Sequence, residues 1–161
     1  MVLRIISIFA VKIQHICAKN KIKLTKIDKT KYNKMTEVKE IIISIGTNID
    51  QDLNMFIAKQ RLEELFHNIQ YSSEMWTDPI DMPDSDRFLN CLAYTRTVHG
   101  FKQVRQALKQ IERRCGVSYA MKHAGIVKMD IDILLYGDER LHESNWNRPY
   151  IQQLMKELNK G

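Results

Sequence analysis

Apolar residues in this chain fall into short blocks separated by polar turns, and the two helical and strand periods can be told apart by eye. Glu40-Ile41-Ile42-Ile43-Ser44-Ile45 is a β-branched run that predicts a buried strand, turned by Gly46-Thr47-Asn48. Asp50 is placed as N-cap of a helix over 51–66, with Leu53, Phe56, Ile57, Leu62, Leu65 and Phe66 as its apolar face. A second strand is expected over about 68–76. Thr77 to Arg87, with two prolines and four aspartates, predicts a long loop. Phe88 to Val98 predicts a third strand, with Phe88, Asn90 and Leu92 on one face. A second helix runs from Phe101 to Cys115, striped by Val104, Leu108 and Ile111 and stopped by Gly116. Val117 to Val127 predicts a second long loop, followed by a strand over 128–137. Ser144 to Pro149 is expected to be irregular and Tyr150 to Leu158 a closing helix.

The order β-α-β-β-α-β predicts an α+β, ferredoxin-like fold. Its four-stranded antiparallel sheet carries both helices on one face and leaves the other open to a ligand.

The last strand carries the chemistry. In Met129-Asp130-Ile131-Asp132-Ile133 alternation sends the apolar residues to one face and both aspartates to the other, roughly 6.5–7 Å apart at Cα. Two carboxylates that close repel by about 2–3 kcal/mol at an effective dielectric near 20. Aspartate is also a poor strand former in an otherwise apolar strand. A solvated face would relieve the repulsion, and so would a cation. Oxygen ligands favour Mg²⁺ over softer metals.

Composition changes this picture little. The net charge of +6 over 161 residues is a property of the leader. Residues 1–40 hold ten Lys/Arg against three Asp/Glu, and the remainder fifteen against sixteen, so the domain is nearly neutral. That argues against a nucleic-acid partner. The longest uncharged run near the start, Ile5 to Val11, is too short to span a bilayer, so no membrane partner is expected. We read 1–38 as a basic, weakly structured extension, with Met35 a candidate native start, and 39–161 as the folded domain. Cys17, Cys91 and Cys115 form no paired pattern, which points to a reducing, cytoplasmic setting.

Five motifs in order carry a resemblance: Gly46-Thr47-Asn48, Trp76-Thr77-Asp78-Pro79-Ile80, Phe88-Leu89-Asn90, Ile111-Glu112 and Asp130-Ile131-Asp132-Ile133. Between about Ile41 and Pro149 the chain resembles the 6-hydroxymethyl-7,8-dihydropterin pyrophosphokinases of folate biosynthesis. The resemblance implies an ATP-dependent diphosphotransferase that moves the β,γ-diphosphate of ATP to the pterin's hydroxymethyl oxygen and releases AMP. It implies two Mg²⁺ ions on the catalytic pair Asp130 and Asp132, and a pterin pocket lined by Thr77, Ile80, Phe88 and Asn90. It places Glu112, Lys122, His123 and Lys128 beside the nucleotide, and the protein is expected to act as a monomer. No G-x-x-x-x-G-K-[ST] loop offers another phosphate site.

The sequence departs from the family between Gly116 and the aspartates. The family carries several arginines and a Trp-Gly-Pro run there, whereas Lys122, His123 and Lys128 are the basic side chains here. Lysine cannot reproduce an arginine's bidentate grip on phosphate. The family also extends beyond the position of Pro149 with a segment that includes a pterin-stacking aromatic. Trp76, Trp146 and Tyr150 are the candidates to replace it. Two other functions stay open: a non-catalytic pterin- or nucleotide-binding descendant, and a ferredoxin-like module that binds protein or RNA through its open sheet face.

Overall fold

A computed structural model describes residues 37–80, 85–116, 121 and 124–158. The chain divides into two units, Met1–Glu37 and Val38–Gly161, and every element described belongs to the second. In chain order these are β1 (Lys39–Thr47), α1 (Gln51–Leu65), β2 (Gln70–Tyr71), β3 (Met75–Thr77), β4 (Phe88–Thr97), α2 (Phe101–Arg114), β5 (Asp130–Tyr136), β6 (Glu139–Arg140), α3 (Glu143–Trp146) and α4 (Pro149–Leu158). The sheet order is β2-β4-β1-β5-β6, with β3 also paired to β4, and every pairing is antiparallel. This is the expected α+β, ferredoxin-like arrangement.

Alternation sorts the central strands into two apolar layers. Ile41, Ile43 and Ile45 of β1, Leu89, Cys91 and Ala93 of β4, and Ile131 and Ile133 of β5 join Met129, α1 and α2 in the main core. Ile42, Leu92 and Leu134 project to the opposite face, where Ile151 and Leu154 of α4 cover them. The expected open face is therefore half closed by a third helix. A bulge on β5 assists: Ile42 pairs with Leu135 but Ile43 with Ile133, leaving Leu134 as the extra residue. Beyond it the phase reverses, so Leu135 packs with the α4 layer and Tyr136 with the main core. The Tyr136 ring meets Phe101 edge-on at 5.5 Å.

Several elements differ from the sequence reading. The second strand is split into β2 and β3 because the Ser72 hydroxyl intervenes. Leu92 N–H donates to Ser72 Oγ while Ser72 N–H donates to Leu92 O, both at 2.9 Å, so a side chain takes the place of a ladder carbonyl. Thr77 lies in β3 opposite Phe88 and not in the loop. Ser144 to Trp146, within the stretch expected to be irregular, belong to a turn of helix that starts at Glu143.

On α1 the face is shifted. Asn54, Met55, Ala58 and Leu62 are buried, whereas Leu53 and Phe56 are each 60% exposed. The entry turn sets this phase. Asp50 takes the N-cap position in a left-handed conformation (φ 44°) and makes no side-chain cap bond. Asn54 instead donates its Nδ2–H to Ile49 O at 2.6 Å and its N–H to Asp50 O, which fixes Asn54 inward. The stripe on α2 follows expectation, with Val104, Leu108 and Ile111 buried and Gly116 (φ 81°) just beyond the helix.

Leu134 is fully buried beneath α4. Leu134→Ala is expected to cost about 2–5 kcal/mol, the usual range for emptying a buried leucine site. Urea unfolding of the full chain measures it, and a loss below about 1 kcal/mol would mean that α4 does not depend on this contact.

Candidate active site

Along all three central strands the face beneath α4 turns from apolar to polar, on β1 and β5 at the Ser44 row and on β4 one row later, at Gly46. On β1 it runs Ile42, Ser44, Gly46; on β4 Leu92, Asn90, Phe88; on β5 Leu134, Asp132, Asp130. Register aligns these positions, since Gly46 pairs with both Asn90 and Asp130, and Ser44 with both Leu92 and Asp132. Asn90 and Asp130 therefore flank Gly46 across three strands, with backbones roughly 10 Å apart from the usual strand spacing. Gly46 lies inside β1 and not in a turn. A side chain there would bring its Cβ to 3.0 Å from Asn90 Oδ1, so the glycine keeps the space between the two flanking residues.

This polar half of the face is the floor of a cavity of about 350 Å³. Thr77, Ile80, Phe88, Asn90, Asp130 and Asp132 all line it, so six of the residues picked from the sequence meet in one place. Asp78, Val127, Asn145, Arg148 and Tyr150 complete the wall. Asn90 is 9% exposed and donates Nδ2–H to Thr77 Oγ1 at 2.8 Å. That bond orients the amide and leaves the Thr77 hydroxyl proton for another acceptor. Ile80 is 52% exposed at the cavity's rim.

Of the three candidate aromatics, Tyr150 is the one that the cavity lining includes. It lines the cavity wall, as does Phe88. Trp76 is exposed and outside the cavity lining, and Trp146 packs in the α4 layer with Arg140 over its ring and its Nε1–H on Leu141 O. Arg148, which the sequence did not single out, and Tyr150 enter because α3 and the start of α4 fold back over the sheet. A cation next to Pro149-Tyr150 was the available signal, but no sequence pattern says that this segment returns to the site.

Asn48 was missed as well. It is 3% exposed and staples the two long loops. Its Nδ2 donates to Ser85 Oγ (2.6 Å) and Gly125 O (2.7 Å), its Oδ1 accepts from Val127 N–H (2.6 Å), and its own N–H donates to Val127 O (2.9 Å). One buried amide thus holds Val127, a cavity wall residue, against the end of β1.

The remaining sequence-predicted residues lie elsewhere. Glu112 is 5% exposed behind β5 and does not line the cavity. Its Oε1 accepts Ile131 N–H at 2.7 Å and an ammonium proton of Lys109 at 2.6 Å. Lys109 Nζ also lies 3.4 Å from Ile131 O and 3.6 Å from Asp132 Oδ1. Since β6 reaches only Leu135 and Tyr136, these two α2 side chains serve the open edge of β5 between the aspartates. Lys128 Nζ extends toward Gly116, away from the cavity lining. Lys122 and His123 lie outside the described residues.

A second cleft, of about 190 Å³, adjoins the first and shares Asp132 with it. Phe101, Leu108, Ile133 and Leu141 form its apolar part, and Arg105, Lys109 and His142 its basic part. His142, in a left-handed conformation (φ 54°), holds Nε2 4.0 Å from Asp132 Oδ1.

The donor set suits a hard divalent ion. Among the described residues no group of three or more His, Cys, Asp or Glu could hold a metal, so a metal on Asp130 and Asp132 would draw its other ligands from water or substrate. That is how Mg²⁺ at phosphate sites is usually held. Burial raises the thiols of Cys91 and Cys115, the only cysteines described and both free, above the ordinary cysteine range, so neither is a ready nucleophile. No helix among the described residues is long and apolar enough to cross a membrane.

Asn48→Ala removes three side-chain hydrogen bonds from a buried position. It should cost about 1–3 kcal/mol of stability and speed hydrogen exchange at the Val127 amide. Unchanged protection of Val127 by mass spectrometry would show that the loops are held by something other than this residue.

Comparison with known proteins agrees with this geometry. The family model for 7,8-dihydro-6-hydroxymethylpterin-pyrophosphokinase matches residues 42–160, so the similarity runs past Pro149 and takes in α4. The pea "Folate synthesis bifunctional protein, mitochondrial" is 29% identical over 133 residues, covering 76% of this chain and 26% of that protein. A "Folate synthesis bifunctional protein" of Arabidopsis thaliana is 28% identical over 130 residues, covering 72% and 26%. One of Chlamydia caviae is 32% identical over 139 residues, covering 77% and 31%. The chain thus spans between a quarter and a third of the length of these curated relatives. With a family match over residues 42–160, the chain belongs to the 7,8-dihydro-6-hydroxymethylpterin-pyrophosphokinase family.

Proposed function

We propose that the protein transfers the β,γ-diphosphate of ATP to the hydroxymethyl oxygen of 6-hydroxymethyl-7,8-dihydropterin, releasing AMP, as a step of folate biosynthesis. The observation that carries the reading is the shared cavity, where Thr77, Phe88, Asn90 and Tyr150 stand across from Asp130 and Asp132. The first set suits a flat heteroaromatic with an amide-like edge, and the second suits a metal-bound polyphosphate.

Each side chain has a separable task in this reading. Phe88 and Tyr150 offer aromatic surface to the pterin ring. The Asn90 amide, already oriented by Thr77, and the Thr77 hydroxyl meet its polar edge. Gly46 leaves the middle of the floor free, so that the hydroxymethyl group can point toward Asp130. Arg148 supplies a cation at the cavity wall. The nucleotide half occupies the second cleft, which is reached past Asp132 and combines an apolar surface with Arg105, Lys109 and His142.

In the reaction the hydroxymethyl oxygen forms a bond to the β-phosphorus. The bond from that phosphorus to the bridging oxygen of the α-phosphate breaks, AMP leaves with that oxygen, and the hydroxyl proton passes to solvent. Two Mg²⁺ ions, held by Asp130 and Asp132, would supply the charge neutralisation that such transfers need. The protein contributes positioning and exclusion of bulk water and forms no covalent intermediate. We place the protein in the cytoplasm as a monomer; the free thiols of Cys91 and Cys115 suit a reducing compartment.

Full-length protein incubated with ATP, MgCl₂ and the hydroxymethylpterin should release AMP in proportion to pterin consumed. Asp130→Ala and Asp132→Ala should each lower the rate by about a hundredfold or more, the scale of losing several kcal/mol of transition-state stabilisation. Tyr150→Ala should mainly raise the pterin KM. Folded protein that binds the pterin without releasing AMP would favour the non-catalytic descendant.

A further inference from the structure

We propose that Lys109 is a phosphate-binding cation of the nucleotide half of the site. The assignment rests on the pyrophosphokinase reading and goes beyond it, because position 109 belongs to none of the motifs that carry the resemblance.

The argument begins with placement. Lys109 rises from α2 at the edge of β5, and its side chain, 35% exposed, lines the cleft that shares Asp132 with the main cavity. Nζ lies 3.6 Å from Asp132 Oδ1. Any phosphate oxygen carried by a metal on Asp132 would therefore come within reach of the same ammonium.

The group is also held in place. Glu112, with its side chain 7% exposed, grips Nζ at 2.6 Å and is itself fixed by Ile131 N–H at 2.7 Å. A lysine on a free four-carbon stem loses much rotamer entropy on binding phosphate, and this one has already lost most of it. An ammonium carries three protons. Glu112 takes one and Ile131 O lies within 3.4 Å, so a donor remains on the side of Asp132 and the cleft.

The charges around it agree. Arg105 and His142 border the same cleft, opposite Asp132. A nucleotide triphosphate brings several negative charges, and Lys109 and Arg105 are the lysine and arginine of this cleft. The plainer alternative is that Lys109 only neutralises Glu112. The two roles separate once Glu112 is neutralised together with Lys109. With Glu112 made neutral as well, a mere counterion is no longer missed and analogue binding stays at wild-type strength, whereas a phosphate-binding cation is missed in either background.

The test uses the full chain, Lys109→Met, Lys109→Arg and the double variant Lys109→Met/Glu112→Gln. The double variant keeps an acceptor for Ile131 N–H and leaves no unpaired buried charge, so it remains informative if the single variant does not fold. Two equilibria are measured: Mn²⁺ alone by electron paramagnetic resonance, and α,β-methylene-ATP with MgCl₂ by calorimetry. Lys109→Met should bind the analogue about tenfold or more weakly, the double variant likewise, and Lys109→Arg close to wild type. Lys109→Met should bind Mn²⁺ alone more tightly, by about tenfold. Analogue binding at wild-type strength in Lys109→Met or in the double variant, or Mn²⁺ binding in Lys109→Met no tighter than wild type, would overturn the assignment while leaving the pyrophosphokinase reading intact. A wild-type protein that binds neither probe would overturn both.

Discussion

A single buried carboxylate secures the strand on which the site is built. At Ile131, between the two aspartates, the backbone N–H and C=O of β5 turn away from β1 toward an edge that β6 does not reach. An unpaired N–H there would cost about 1–3 kcal/mol and leave an edge open to slippage. Glu112 accepts that N–H from within α2, and Lys109, one turn earlier, offsets the carboxylate's charge and approaches the carbonyl. Asp130 and Asp132 owe their common orientation to a strand whose outer side is held in this way. Without it their mutual repulsion would favour fraying.

Register then does the assembling. Because β1 is the centre of the sheet, its residues from Ile41 to Gly46 have a neighbour on both sides, and the Gly46 row collects Asn90 from β4 and Asp130 from β5. These residues are 40 positions apart in sequence. A one-residue slip of either outer strand would turn its polar member into the helix-side core, so burial of Ile43, Ile45, Leu89 and Ile131 enforces the geometry of the site as well as the fold. Further along, the same face carries Ile42, Leu92 and Leu134, where α4 seals it. Core and cavity are two ends of one surface, and the helix that closes the first delivers Tyr150 to the wall of the second.

The loops are organised by economy. Asn48 makes four hydrogen bonds through backbone and side chain at the exit of β1, and through them ties Ser85 and Gly125 to the sheet. Segments on either side of the cavity are thereby referred to the same strand as Gly46. The left-handed backbone at Asp50 and His142 marks two other places where the chain turns sharply next to these features, one setting the phase of α1 and the other bringing a histidine to Asp132.

The sequence by itself determined the fold class and the face on which the aspartates stand. Both follow from local periodicity: alternation places Asp130 and Asp132 opposite Ile131 and Ile133 whatever the rest of the chain does. It also picked out Thr77, Phe88 and Asn90, through motifs whose order carried the family resemblance. It misjudged α1, where Leu53 and Phe56 are apolar yet face outward, because helical phase was fixed by the hydrogen bonds of Asn54 to the entry turn and not by composition. Only tertiary structure decided the rest. Gly46 reads as a turn until its two neighbours across the sheet are known. Tyr150 is separated from Phe88 by more than 60 residues, and nothing local chooses it over Trp76 or Trp146. Glu112 and Lys109 look like an ordinary pair on a helix surface until the unpaired edge of β5 lies against them, since the partner of a buried polar group is set by packing between elements and not by its neighbours in the chain.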